Sequence, residues 1–139
     1  MRKKMAKKLL IDATEEVKIE FVLAELKTGV LVADVSKQSL ISTFGDEVDE
    51  SSIEEHWAIF RRPTFGDTID INGKMKSSDG VNLEFNPIAA RFQRMSKLLK
   101  SWSLKQGDEL IPATAESILR LDPFIANIVG MNLDAKLGA

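Results

Sequence analysis

The chain offers few side chains that could carry out covalent chemistry. Among its 139 residues there is one histidine, His56, and there is neither cysteine nor tyrosine. Without cysteine, disulfides and thiolate metal sites are excluded. No second metal ligand lies near His56 in the sequence at the spacing of a metal site. We therefore interpret His56 as a surface or hydrogen-bonded residue.

No catalytic motif surrounds the serines or the glycines. The serines lack the nucleophile-elbow pattern. The glycines are scattered singly, so the sequence has no glycine-rich loop that would bind phosphate. General acid–base catalysis needs groups that converge in a pocket, and the sequence places no such pair. We therefore predict a protein that is not an enzyme, with no catalytic residue, no bound metal and no cofactor.

The acidic segment GDEVDESSIEE, residues 45–55, resembles a calcium-binding loop only in composition. Its carboxylates lack the alternating spacing and the central glycine of such loops. We predict a solvated loop here.

Basic residues make nucleic acid the alternative ligand. The candidates are Arg61, Arg62, Arg91, Arg94, Lys97 and Lys100. The net charge of −2 provides no overall field that attracts nucleic acid or an anionic membrane. Solvated charges on an amphipathic helix explain the pattern without a ligand, so nucleic acid is not the main hypothesis. No apolar run approaches the roughly 20 residues of a membrane span, and no membrane partner is expected.

The length fits one domain, and a hydrophobic content of 44% is that of a folded protein. We divide the chain into a basic N-terminal arm, residues 1–15, and a single α+β domain, residues 16–139. The domain is predicted to be β-rich over 16–62 and mainly helical over 86–139. The arm's short apolar run does not reach the roughly 7–15 residues of a secretory signal.

The β-rich half begins with alternating apolar residues. Val17, Ile19, Phe21 and Leu23 follow the two-residue period of a half-buried strand, and a β-hairpin is predicted over 16–35. The secondary structure of residues 36–44 is ambiguous, although the apolar residues in this segment have the spacing of a short helix. Residues 56–62 predict a strand that stops at Pro63.

Two interpretations remain open for residues 64–85. Thr64 and Asp67 have the spacing of a capping box, which predicts a helix from about 65 to 75. The competing interpretation is a strand over 68–71 followed by a turn. A further short strand is possible over 81–85.

The helical half has three predicted helices. The first spans 87–103, with Pro87 at its first position, and it is predicted to bury an apolar stripe of Ile88, Phe92, Met95, Leu99 and Trp102. The second is capped by Thr114, and the third begins at Asp122-Pro123.

The last helix carries a stripe of Phe124, Ile128 and Met131, and the chain has more apolar helical faces than a small monomer needs. We therefore predict partner-binding residues. They are Phe124, Ile128, Met131, Arg91, Arg94, Lys3 and Lys4.

Two segments resemble small tail-morphogenesis proteins of bacteriophages, among them the tail assembly chaperones. They are HWAIFRRPTFGD, residues 56–67, and LLKSWSLKQGDELIPATAESILRLDPFIANIV, residues 98–129. The first resembles an aromatic-basic-proline-Thr-x-x-Asp element. The second resembles a Trp, a Gly-Asp-type loop, an apolar-Pro-x-Thr-x-Glu turn and a Leu-x-Pro helix start. The likeness covers about residues 56–130. The shared positions are structural, so no functional residue is carried over from the family to this chain.

The resemblance implies a non-enzymatic protein that acts through protein–protein contacts. It would be either a tail assembly chaperone or a structural subunit of the tail, baseplate or neck. Its partners would be other phage tail or virion proteins, or further copies of itself in a homo-oligomer. It would work in the host cytoplasm during assembly or reside in the virion.

Overall fold

The computed structural model describes residues 9–12, 14–73 and 87–138. The predictions for Lys3, Lys4 and the strand over 81–85 lie outside the described residues.

The fold is α+β, as predicted, and its largest sheet is antiparallel with strand order β2-β1-β3-β4. The strands are β1 (Glu16–Leu26), β2 (Leu31–Asp34), β3 (Val48–Arg61) and β4 (Leu99–Trp102). The hairpin over 16–35 is confirmed, because Val22 pairs with Asp34 and Glu25 pairs with Leu31. Gly29 adopts a φ of 88° in the connecting turn, a conformation that favours glycine.

Five helices and a two-stranded hairpin complete the described chain. They are α1 (Lys37–Phe44), α2 (Phe65–Gly73), α3 (Pro87–Leu98), α4 (Ala115–Arg120), α5 (Pro123–Leu137), β5 (Lys105–Gln106) and β6 (Glu109–Leu110). The cap at Thr114 is confirmed, since its side chain accepts a hydrogen bond from the Ser117 amide at 3.2 Å. The predicted helix after Thr64 is present as α2, so the strand interpretation of 68–71 is wrong.

The acidic segment is not the predicted solvated loop, because only Gly45–Glu47 forms a short 3-10 turn before β3 begins. The segment is held as a strand by β1, with a register shift between Leu23 and Glu25. Ser52 stabilises the backbone at this register shift, since its Oγ accepts a hydrogen bond from the Glu25 amide at 2.8 Å. Glu50, Glu54 and Glu55 are exposed in the strand, so acidity did not prevent strand formation.

The predicted helix over 87–103 ends early, at Leu98, and Leu99–Trp102 forms β4 instead. Strand pairing with β3 outweighs the helical spacing, because Trp102 lies opposite Ala58 in the ladder. The indole Nε1 of Trp102 donates to the Ile111 carbonyl at 2.6 Å, which satisfies its polar atom in a buried position. Ile88, predicted to be buried, is 72% exposed.

Hydrophobic cores lie on both faces of the sheet. The larger core joins one face to α3, α4 and α5 through Ile19, Phe21, Ala58, Phe60, Met95, Leu98, Trp102, Ile118, Val129 and Leu133. The smaller core joins the other face to α1 through Val22, Ala24, Val32, Leu40 and Val48. The second half of β1 is therefore buried on both sides, which explains its continuous apolar run.

Candidate functional site

Two of the three residues in the apolar stripe predicted on α5 face outward. Phe124 and Met131 are 48% and 54% exposed, whereas Ile128 is partly buried against the larger core. The helix packs through a different set of residues, Ile125, Val129 and Leu133. We call Phe124, Ile128 and Met131 the outer face of α5. The spacing of four and three residues places them on one side of the helix.

Both ends of α5 are capped, and its middle is attached to the sheet. Asp122 accepts a hydrogen bond from the Phe124 amide at 2.9 Å, and Pro123 occupies the first turn. At the other end, Gly138 has a φ of 73° in a left-handed cap. The side-chain amide of Asn132 donates to the Glu20 carbonyl at 3.1 Å. The outer face is therefore presented by a helix that is fixed to the fold.

Gly130 allows α3 and α5 to pack closely. A glycine in the interior of a helix usually weakens it, yet α5 continues past Gly130 to Leu137. A Cβ at this buried position would lie 2.2 Å from Cδ of Arg91 and 3.1 Å from Sδ of Met95. A side chain at this position would therefore displace Arg91, so the close approach of the two helices favours glycine.

Arg91 and Arg94, predicted as partner-binding residues, both contact Asp134 of α5. Arg91 donates from Nε to Oδ2 at 3.2 Å, and Arg94 donates from Nη1 to Oδ1. The three side chains are only 19–25% exposed. The structure thus gives both arginines a role within the fold, where they hold α3 against α5 beside Gly130.

The segment RRPTFGD forms a clamp around the start of α2. Arg61 donates to both carboxylate oxygens of Asp67, with Nη1–Oδ2 at 2.6 Å and Nη2–Oδ1 at 2.9 Å. Thr64 and Asp67 form the predicted capping box, with reciprocal bonds of 2.8 and 3.2 Å. The hydrogen bonds from Arg61 outweigh the effect of burial and hold the pKa of the Asp67 carboxyl well below its usual range. In return, the bonded carboxylate raises the pKa of Arg61.

Most of the cations considered for nucleic acid are paired with carboxylates. The pairs are Arg61–Asp67, Arg91–Asp134, Arg94–Asp134, Lys97–Asp70 and Lys100–Glu16. Of the six candidates, Arg62 is exposed. A nucleic-acid surface requires clustered positive charge that can face phosphates. Neutralised cations, distributed over several elements, do not provide such a cluster.

His56 is hydrogen-bonded, as expected, and one of its partners comes from a distant segment. Its Nε2 lies 3.1 Å from Oε1 of Glu54, and its Nδ1 lies 2.9 Å from Oγ of Ser103. The imidazole also stacks on Phe21, with ring centroids 5.9 Å apart. Sequence reasoning missed Ser103 because it lies 47 residues from His56 and carries no recognisable motif.

Within the described ranges, no group of three or more His, Cys, Asp or Glu side chains could hold a metal ion. None of the described helices is long and apolar enough to cross a membrane. Comparison of the chain with protein-family models, curated proteins and solved structures gives no match.

Proposed function

We propose that this protein is a non-enzymatic bacteriophage tail-morphogenesis protein that acts through protein–protein contacts. It serves as a tail assembly chaperone or as a structural subunit of the tail, baseplate or neck. The observation that carries the contact role is the outer face of α5, where Phe124 and Met131 are about half exposed. The assignment to phage tails rests on the resemblance of residues 56–67 and 98–129.

The arrangement of the outer face supports binding of a protein. Single exposed apolar side chains are ordinary on soluble proteins. Here, however, Phe124 and Met131 are exposed on one side of a capped helix, at helical spacing with the partly buried Ile128. Such i, i+4, i+7 side chains are the anchors with which helices dock into apolar grooves of partner proteins. A partner groove that accepts α5 would bury Phe124 and Met131 without refolding the protein.

The residues that carry the resemblance have structural roles in this fold. Arg61 and Asp67 form the clamp at α2, Trp102 bonds to Ile111, and Thr114 caps α4. A family that shares positions of this kind shares a scaffold. A shared scaffold supports a function that depends on the surface residues of each protein, and those surfaces differ with the partner that each protein binds.

Two measurements test the proposal. The first is light scattering of the purified chain, alone and mixed with tail-tube and tape-measure proteins of a tailed phage that encodes it. A complex or a homo-oligomer is expected, and a strict monomer that binds none of these proteins would contradict the proposal. The second is mass spectrometry of purified virions, in which a stoichiometric amount indicates a structural subunit and absence indicates a chaperone.

A further inference from the structure

Ser103, His56 and Glu54 form a hydrogen-bonded chain at the end of the β3–β4 pairing. The backbone continues the ladder one step beyond β4, because the Ser103 amide donates to the Trp57 carbonyl at 3.0 Å. This places the Ser103 hydroxyl 2.9 Å from Nδ1 of His56. On the other side of the ring, Nε2 lies 3.1 Å from the Glu54 carboxylate. The order of groups is hydroxyl, imidazole, carboxylate.

The Glu54 carboxylate selects the imidazole tautomer that can take a proton from Ser103. A carboxylate only accepts hydrogen bonds, so the neutral ring places its proton on Nε2. Nδ1 is then the acceptor that faces the Ser103 hydroxyl. The ring is held in this orientation by its stacking on buried Phe21, and its side chain is only 13% exposed.

The surroundings of the Ser103 Oγ favour loss of its proton toward His56. The Trp57 amide donates to Oγ at 2.9 Å, which stabilises negative charge on the oxygen. The competing acceptor for the hydroxyl proton is the Trp57 carbonyl, at a longer distance of 3.3 Å. A nucleophile within hydrogen-bond reach of a base that is oriented by a third group is the arrangement of an activated serine.

A surface cleft of about 590 Å3 gives access to this group. It is lined by Glu54, Glu55, His56, Ser103, Lys105 and Gly107. The Lys105 ammonium is the positive charge of this lining and can stabilise negative charge on a carbonyl oxygen under attack. The mainly polar lining suits a short acyl group better than a long apolar chain.

We propose that Ser103 is a nucleophile that His56 activates toward small activated acyl esters and related phosphonyl electrophiles. Oγ forms a bond to the carbonyl carbon while its proton moves to Nδ1 of His56. The bond from that carbon to the leaving alcohol then breaks, and the alcohol takes the proton from His56. The product is an ester on Ser103 and a neutral imidazole. This reactivity goes beyond the contact function, does not depend on it and requires no turnover.

The test is covalent labelling of the full chain with a fluorophosphonate, followed by intact mass and peptide mapping. One adduct on Ser103 is expected, with release of fluoride. His56→Asn should lower the labelling rate roughly 100-fold, the scale of a lost general base. Ser101→Ala, at the neighbouring partly buried serine of β4, is the matched control and should label like the unchanged chain.

Circular dichroism of each variant establishes that it is folded before the rates are compared. No adduct on Ser103 of the unchanged chain would overturn the proposal without any variant being needed. Labelling of folded His56→Asn at the original rate would overturn the role of the imidazole. Neither result bears on the binding of tail proteins.

Discussion

Gly130 of α5 faces Arg91 of α3 so closely that a Cβ would lie 2.2 Å from the Arg91 Cδ. Arg91 has little freedom to withdraw, because its Nε is bonded to Asp134. We expect Gly130→Ala to lower the free energy of unfolding by about 1–3 kcal/mol through overpacking. This exceeds the gain in helix propensity, which is at most about 1 kcal/mol.

Urea denaturation measures this change, and Gly73→Ala is its control. Among the described residues, no atom outside its chain neighbours and its own helix backbone lies within 4 Å of a Cβ built on Gly73, the last residue of α2. The close-packing account fails if both variants have the same stability.

Asp134 should stabilise the fold more than the exposed carboxylate Asp70. Asp134 serves Arg91 and Arg94 and is 19% exposed, whereas the Asp70 side chain that pairs with Lys97 is 62% exposed. Removal of the Asp134 carboxylate, which is largely protected from solvent, leaves Arg91 and Arg94 without their shared hydrogen-bond acceptor. Asp134→Ala should cost about 2–3 kcal/mol and Asp70→Ala about 0–1 kcal/mol. Thermal or urea unfolding would contradict this if Asp70→Ala were the more damaging change.

The clamp between Arg61 and Asp67 should make stability depend on pH in the acid range. The pKa of Asp67 is depressed in the folded state, so its contribution is complete above the unfolded value of about 3.9. That contribution is lost as the pH falls through the lower folded-state pKa. At neutral pH, Asp67→Asn should lose roughly 1–3 kcal/mol of stability relative to the unchanged chain.

Urea unfolding should show that the difference in the free energy of unfolding between Asp67→Asn and the unchanged chain shrinks progressively from about pH 6 to about pH 2.5. Arg61→Met removes the main cause of the depressed pKa and should weaken the same dependence. A difference between the Asp67→Asn variant and the unchanged chain that stays constant over the whole range would show that the clamp is not responsible.

Local signals predicted much of the fold. Alternating apolar residues gave the hairpin of β1 and β2, and cap residues such as Thr114 and Asp122 marked helix starts. Long-range pairing could not be seen locally. The apolar spacing through Trp102 is that of a helix, and pairing with β3, such as that of Trp102 with Ala58, makes the segment a strand.

The sequence named Phe124 and Met131 as candidate partner-binding residues, but it did not show how α5 packs. Helix α5 is apolar almost all round, so periodicity did not distinguish its outer face from its core face. Gly130 was the available signal, because a small residue marks the side on which another helix approaches closely. The partner of Arg91 and Arg94 lies 40 or more residues away, at Asp134, and sequence spacing cannot reveal it.

The pairing of basic residues also makes a prediction about nucleic acid. With Arg61, Arg91 and Arg94 bonded to carboxylates, we expect no DNA or RNA binding even at low salt. Fluorescence anisotropy with labelled single- and double-stranded oligonucleotides checks this. Tight binding that weakens steeply with salt and is lost in Arg62→Glu would favour the alternative instead.

The proposed function requires that the outer face of α5 binds tail proteins. The most direct measurement is light scattering of Phe124→Ser/Met131→Ser beside the unchanged chain, each mixed with candidate tail-tube and tape-measure proteins. Leu110→Ser, which alters another exposed apolar residue at 59% exposure, is the control. We predict that the double variant stays folded but loses complex formation, while the control retains it. Complexes that form equally well with all three chains would contradict the claim.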